Sequence, residues 1–196
     1  GTMSHPGDSV WAAALAVGEK TGASGADVLV AGIAGYEVAL RVGRAVMPDH
    51  YRRGWHTSGT IMSFGAAATA GRLLKLDHHA MAWALGTAGA QASGNFAHLT
   101  ERAMTKDFNC GHAAKSGVIA ALLAHEGFTG PTDVLENPRG FLALYGSENN
   151  HPELLTQGLG TNWITLEIAQ KPYSACRYIH AGIDAILALQ TEAHFT

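Results

Sequence analysis

Phe64-Gly65-Ala66-Ala67-Ala68-Thr69-Ala70-Gly71 is the stretch whose reading decides the fold. It combines two glycines with a run of alanines in a helical context and carries no charge. Glycine inside a helix is about 0.5–1 kcal/mol less favourable than alanine. Small residues on helix faces let backbones approach closely, so this texture points to tightly packed helices. Gly32-Ile33-Ala34-Gly35 repeats it. The expected architecture is therefore mainly α, a bundle more crowded than a simple four-helix design.

Working outward, one helix is predicted from near Ser58 to Leu74 around that stretch. Upstream, Ser24 with Asp27 three residues on forms a weak capping box. It opens a long helix to about Val46 that Pro48 stops. A first helix is predicted over Ser9–Lys20 and ends at Gly22. Downstream, Asp77 caps a helix to about Ala92. Met104-Thr105-Lys106-Asp107 reads as a loop, followed by a helix over Gly111–Glu126 that Gly127 closes. Gly130-Pro131 and Asn137-Pro138-Arg139-Gly140 are turns with a short helix between them.

After Gly146 the pattern changes. Pro152–Gln157 suggests a short helix, and Trp163-Ile164-Thr165-Leu166-Glu167-Ile168 alternates apolar and polar residues as a strand does. An apolar helix over Ala175–Leu189 follows. A lone strand leaves both edges unpaired, so it implies a continuation of the chain or a second subunit. The expected division is a helical body over residues 5–146 and a connecting segment with the start of a further element over 147–196.

Composition narrows the function classes. Of 196 residues, 47% are hydrophobic and only 15% charged, which suits a packed domain rather than a disordered chain. A net charge of -3 gives no field favouring nucleic acid or an anionic membrane. Apolar runs fall short of the ~20 residues of a bilayer span. Cys110 and Cys176 lack Cys-x-x-Cys spacing, and no signal core follows Gly1-Thr2-Met3-Ser4, so a reducing cytoplasm is the expected compartment. The 11 histidines include no His-Glu-x-x-His arrangement, so no metal site is expected.

The residues suited to chemistry lie in loops and helix starts. His56 precedes Thr57-Ser58-Gly59-Thr60, whose hydroxyls and helix-start N–H groups suit an anion. Lys106 and Lys171 sit in segments marked by glycine or proline. Two lysines with one or two histidines suit a substrate bearing two or three carboxylates. The plain alternatives are structural: His56 as a loop residue, Thr57, Ser58 and Thr60 as caps, and Arg52-Arg53 as a solvated patch.

Collinear motifs then carry a resemblance. They are His5-Pro6-Gly7, Ala31-Gly32-Ile33-Ala34-Gly35-Tyr36-Glu37, Gly54-Trp55-His56 with Gly59-Thr60, Leu85-Gly86-Thr87-Ala88-Gly89, Thr105-Lys106 with Gly111, Gly127-Phe128-Thr129-Gly130-Pro131, and Lys171-Pro172-Tyr173 with Cys176 and His180. In this order they resemble the MmgE/PrpD family of 2-methylcitrate dehydratases, cis-aconitate decarboxylases and related epimerases. The resemblance implies a multi-helix domain followed by the start of a small α/β lid, a homodimer and cofactor-free lyase or isomerase chemistry. It makes His5, His56 and Lys106 the expected catalytic groups. Lys171, Thr60 and Arg177 are the expected substrate contacts. Dehydration of a 2-methylcitrate-like acid is the expected reaction; the alternative is an inactive helical scaffold that dimerises or binds anions. The resemblance also implies a segment before His5 and a lid running past His180. Asn109 stands where the family usually has histidine, and His112 where it usually has arginine or a similar residue.

Overall fold

The structure, a computed structural model, describes residues 1–193. It is mainly α. The helices are α1 (Pro6–Thr21), α2 (Gly25–Val46), α3 (Asp49–Arg52), α4 (Thr57–Thr60), α5 (Met62–Leu73), α6 (His78–Ala90), α7 (His98–Glu101), α8 (Thr105–His125), α9 (Phe141–Tyr145) and α10 (His180–Ala193).

Helix α5 is the axis of the body. Its residues from Met62 to Gly71 are all buried, and α1, α2, α6 and α8 pack around it. The small residues permit that crowding. A Cβ added to Gly35 on α2 would stand 2.0 Å from Thr69 Oγ1 and 2.7 Å from the Gly65 carbonyl. One on Gly117 of α8 would stand 2.5 Å from the Ala67 amide nitrogen. The anticipated caps form: the Ser24 hydroxyl accepts from the Asp27 N–H at 3.2 Å, and the Asp77 carboxylate from the Ala80 N–H at 2.8 Å.

One buried ion pair ties the segment after α9 to the body. Arg41 Nε donates to Glu37 Oε2 at 3.2 Å, one turn apart on α2. The Arg41 guanidinium also donates to the carbonyls of Gln157 and Asn162, both at 2.9 Å. The other carboxylate oxygen of Glu37 accepts from both the N–H and the hydroxyl of Thr165 at 2.7 Å. Buried charges are tolerated when their hydrogen-bonding capacity is filled in this way.

That network corrects the expected strand. Ile164–Glu167 is a 3₁₀ turn. The Thr165 N–H, which a strand would give to a neighbouring strand, goes to Glu37, while Ile164 is buried and Leu166 is exposed. Three helical expectations shift as well. The helix from near Ser58 to Leu74 is divided by a turn at Ile61. There the Thr60 hydroxyl bonds the His56 and Thr57 carbonyls, and Ser63 Oγ bonds the Thr60 carbonyl at 2.7 Å. Such side chains compete with the backbone ladder. Helix α8 starts at Thr105, not Gly111: Asp107 in its first turn complements the helix dipole, and Gly111 is carried inside the helix. The short helix expected between Gly130-Pro131 and Asn137 is a run of turns, and α9 forms after Gly140 instead. The Val134 and Leu135 carbonyls accept from the Phe141 and Leu142 N–H groups, so they are not free to build a helix of their own.

The chain divides into a unit over Gly1–Thr165 and a second over Leu166–Thr196. Within the second, the Tyr173 hydroxyl donates to Asp184, and the His180 ring lies edge-on to Tyr173 at 5.2 Å. Among the described residues no helix is long and apolar enough to cross a membrane.

Candidate active site

The site forms around α4. This four-residue helix is completely buried, and its hydroxyls are ties within the protein. Thr57 Oγ1 donates to the Met3 carbonyl at 2.6 Å, and the Ser58 hydroxyl accepts from the His5 N–H at 2.9 Å. These bonds bring the segment before α1 against α4 and place His5 beside Ser58. The Thr60 hydroxyl is wholly buried, 2.8 Å from His50 Nε2 and 3.3 Å from the His56 carbonyl, so its bonding is spent within the protein.

A loop packs against the other side. Residues 93–96 follow α6 and pair with the segment before α4: the His56 N–H donates to the Gly94 carbonyl at 3.1 Å, and the Phe96 N–H to the Gly54 carbonyl at 2.9 Å. Gly94 has φ +124, which L side chains rarely adopt, and Asn109 and Gly59 both lie against it. A Cβ on Gly59 would stand 2.5 Å from the Ser93 carbonyl.

His56 is the centre of this arrangement and is only 3% exposed. Asn109 Nδ2 lies 3.1 Å from its Nδ1. An amide NH₂ can only donate, so Nδ1 accepts and the ring proton sits on Nε2. Burial foremost, with the nearby imidazoles of His98 and His5 and the Lys106 ammonium adding to it, pushes its pKa down to about 4. His56 is therefore a neutral imidazole at pH 7.

Lys106 lies in the first turn of α8, three residues before Asn109, and so on the same helix face. The expected catalytic trio of His5, His56 and Lys106 thus shares one neighbourhood. Lys171 and Arg177 belong to the Leu166–Thr196 unit, where both are exposed; Arg177 donates to the Gln170 carbonyl at 3.3 Å. Both cysteines are free: Cys110 is buried, its thiol pKa pushed up to about 11 by burial and by Asp8, and Cys176 is exposed.

Sequence reasoning missed His98. It is 5% exposed, with its ring 5.2 Å from His56 and 5.8 Å from Phe96. Neither of its nitrogens has a hydrogen-bond partner. An unpaired buried polar group is worth about 1–3 kcal/mol of lost stability. No pattern marks it in the sequence, because 42 positions separate it from His56 and it follows a glycine loop.

The family model described as the MmgE/PrpD N-terminal domain matches residues 1–153. The chain belongs to the MmgE/PrpD family. Among curated relatives, a cis-aconitate decarboxylase of Aspergillus terreus is 35% identical over 174 residues, covering 85% of this chain and 35% of that protein. A cis-aconitate decarboxylase-like protein of Aspergillus oryzae is 35% identical over 178 residues, covering 87% and 37%. The Homo sapiens cis-aconitate decarboxylase is 30% identical over 170 residues, covering 85% and 34%. The chain therefore spans about a third of the length of the curated relatives it matches. The MmgE/PrpD N-terminal match takes in α1 to α9, and so every residue of the α4 site.

Proposed function

We propose that this chain carries the acid/base centre of a lyase acting on a small di- or tricarboxylic acid. The observation that supports this reading is the gathering of His5, His56 and Lys106 about α4. The relatives named for cis-aconitate decarboxylation favour a cis-aconitate-like tricarboxylate over the 2-methylcitrate-like acid expected from the sequence. In this scheme the Lys106 ammonium holds one carboxylate. When the bond to the departing carboxylate breaks, CO₂ leaves and its electron pair stays on a carbon conjugated with a remaining carboxylate. The site must then deliver one proton to that carbon. His56 Nε2 is the donor in this proposal, with His5 as the second acid/base group. Bound carboxylates favour the protonated imidazole, whose second proton, on Nδ1, the Asn109 side-chain oxygen accepts once that amide turns over, so they raise the depressed pKa of His56 toward the range useful for proton transfer. Dehydration would use the same groups differently: a base removes a proton next to a carboxylate and an acid protonates the leaving hydroxide.

Assembly as a homodimer belongs to the same proposal; Leu29, Val30 and Ile33 leave exposed apolar surface on α2 for a second copy. Light scattering would read it directly. The chemical test is proton NMR in D₂O with cis-aconitate, citrate and 2-methylcitrate, using Lys106→Ala as control. Turnover or deuterium incorporation that disappears in the variant is expected. Folded protein that binds these acids without changing them would favour the anion-binding scaffold. No binding and no change with any of them would remove both readings.

A further inference from the structure

We infer that His98 is a fourth member of this site, the imidazole that hydrogen-bonds a carboxylate of the bound acid beside His56. The inference rests on the function proposed above and adds a residue to it. Three observations carry it. The first is that His98 is buried and both its ring nitrogens are without a partner, although a neutral imidazole carries one donor and one acceptor. Buried polar groups in folded proteins nearly always find partners, so a ring with neither filled is suited to one that arrives with a ligand.

The second is its place. The rings of His98 and His56 meet edge to face at 5.2 Å, and Phe96 lies against both, at 5.8 Å from His98 and 5.2 Å from His56. Asn109 already occupies His56 Nδ1, so that nitrogen is not available to His98. The two imidazoles therefore stand side by side with separate hydrogen-bonding capacity.

The third is charge. The groups that act on His56 through space are His98, His5 and Lys106, and no carboxylate is among them. The exposed Glu101 and Arg102 follow His98 at the end of α7. Asp8 and Asp107 act with Lys106 on Cys110, next to Asn109, but none of the groups acting on His56 is acidic, so the nitrogen donors and the lysine beside it suit an anion. A carboxylate oxygen accepts well from an imidazole N–H, and a polycarboxylate has enough oxygens to meet Lys106 and His98 together.

Tricarballylate, a tricarboxylate with no double bond and no hydroxyl, serves as the probe. Its affinity for the chain would be measured by calorimetry, and the imidazole ¹⁵N shifts of ¹⁵N-labelled protein would be followed at saturation. His98→Phe keeps a flat ring against Phe96 and His56 but removes the donor. His98→Gln keeps a donor. The expected results are tenfold or greater weakening with His98→Phe, at an unfolding temperature no lower than that of the parent. Affinity should be within a few-fold for His98→Gln, and the His98 ¹⁵N resonances should move in the parent. Unchanged affinity in His98→Phe, with binding lost in Lys106→Ala, would overturn the role of His98 and leave the proposed site standing. Absence of binding by the parent would overturn both. Should His98→Phe fail to fold, stationary His98 resonances in the saturated parent would overturn the role without it.

Discussion

The two sides of α4 each hold a buried histidine, and they are built to opposite ends. On one side, His50 is fully buried with both nitrogens engaged: Nδ1 lies 2.8 Å from the Tyr145 carbonyl and Nε2 2.8 Å from the Thr60 hydroxyl. Trp55, Phe141 and Tyr145 surround its ring. On the other side, His56 has a partner at Nδ1, and its neighbour His98 has none. Yet burial lowers the pKa of His50 and of His56 alike, each to about 4. A depressed pKa therefore does not separate a structural histidine from a chemical one here. The separation lies in whether the protein itself uses up the hydrogen-bonding capacity of the ring.

The largest effect should treat the two sides alike. Unfolded imidazoles titrate near their ordinary value of 6.5, and folded His50 and His56 near 4. Above pH 6.5 both are neutral in both states. As pH falls from 6.5 to about 4, the unfolded chain takes up protons that the folded one refuses, so stability is lost across that window and levels off below it. The loss should be on the order of 5 kcal/mol for the pair. Urea unfolding from pH 7 to pH 4 measures it, and a flat profile would mean that neither ring is desolvated.

The next effect should split them. His56→Phe should slow turnover of the acid by on the order of 10²- to 10³-fold. Its thermal midpoint should stay within a few degrees, since the one displaced partner, Asn109, is only half-buried. His50→Phe should do the reverse. It strands the Tyr145 carbonyl and leaves the Thr60 hydroxyl only its longer bonds to the His56 and Thr57 carbonyls, lowering the unfolding free energy by about 1–3 kcal/mol. Equal stability of the two variants would break the comparison. A smaller effect concerns the packing behind both sides. Gly117→Ala drives a methyl group into the backbone of α5 and should lower stability by about 1–2 kcal/mol. Lys106→Ala, at an exposed position, should change stability by no more than about 0.5 kcal/mol while abolishing activity. A large loss of stability there would make Lys106 a structural residue.

Much of this was legible in the sequence, because the signals are local. The caps at Ser24 and Asp77, the stop at Pro48 and the small-residue stretch at 64–71 all act within a few residues, and each appears where it was expected. The motif order pointed to the MmgE/PrpD family for the same reason, as short runs of residues. The alternation over Trp163–Ile168 does not make a strand, because it describes side chains and says nothing of where a backbone N–H will go. Glu37, more than a hundred positions earlier, takes the one at Thr165. Gly111 looks like a helix boundary along the chain and so puts Lys106 in a loop, whereas Asp107 and the preceding turn start the helix six residues sooner.

The sequence by itself determined a crowded α-helical domain and its family, since helix periodicity, caps and small-residue faces are set by neighbours along the chain. The tertiary structure alone decided which histidines carry free hydrogen-bonding capacity. That depends on partners such as Asn109, Tyr145 and Thr60, which meet these rings only when α4, α8, α9 and the 93–96 loop are packed together.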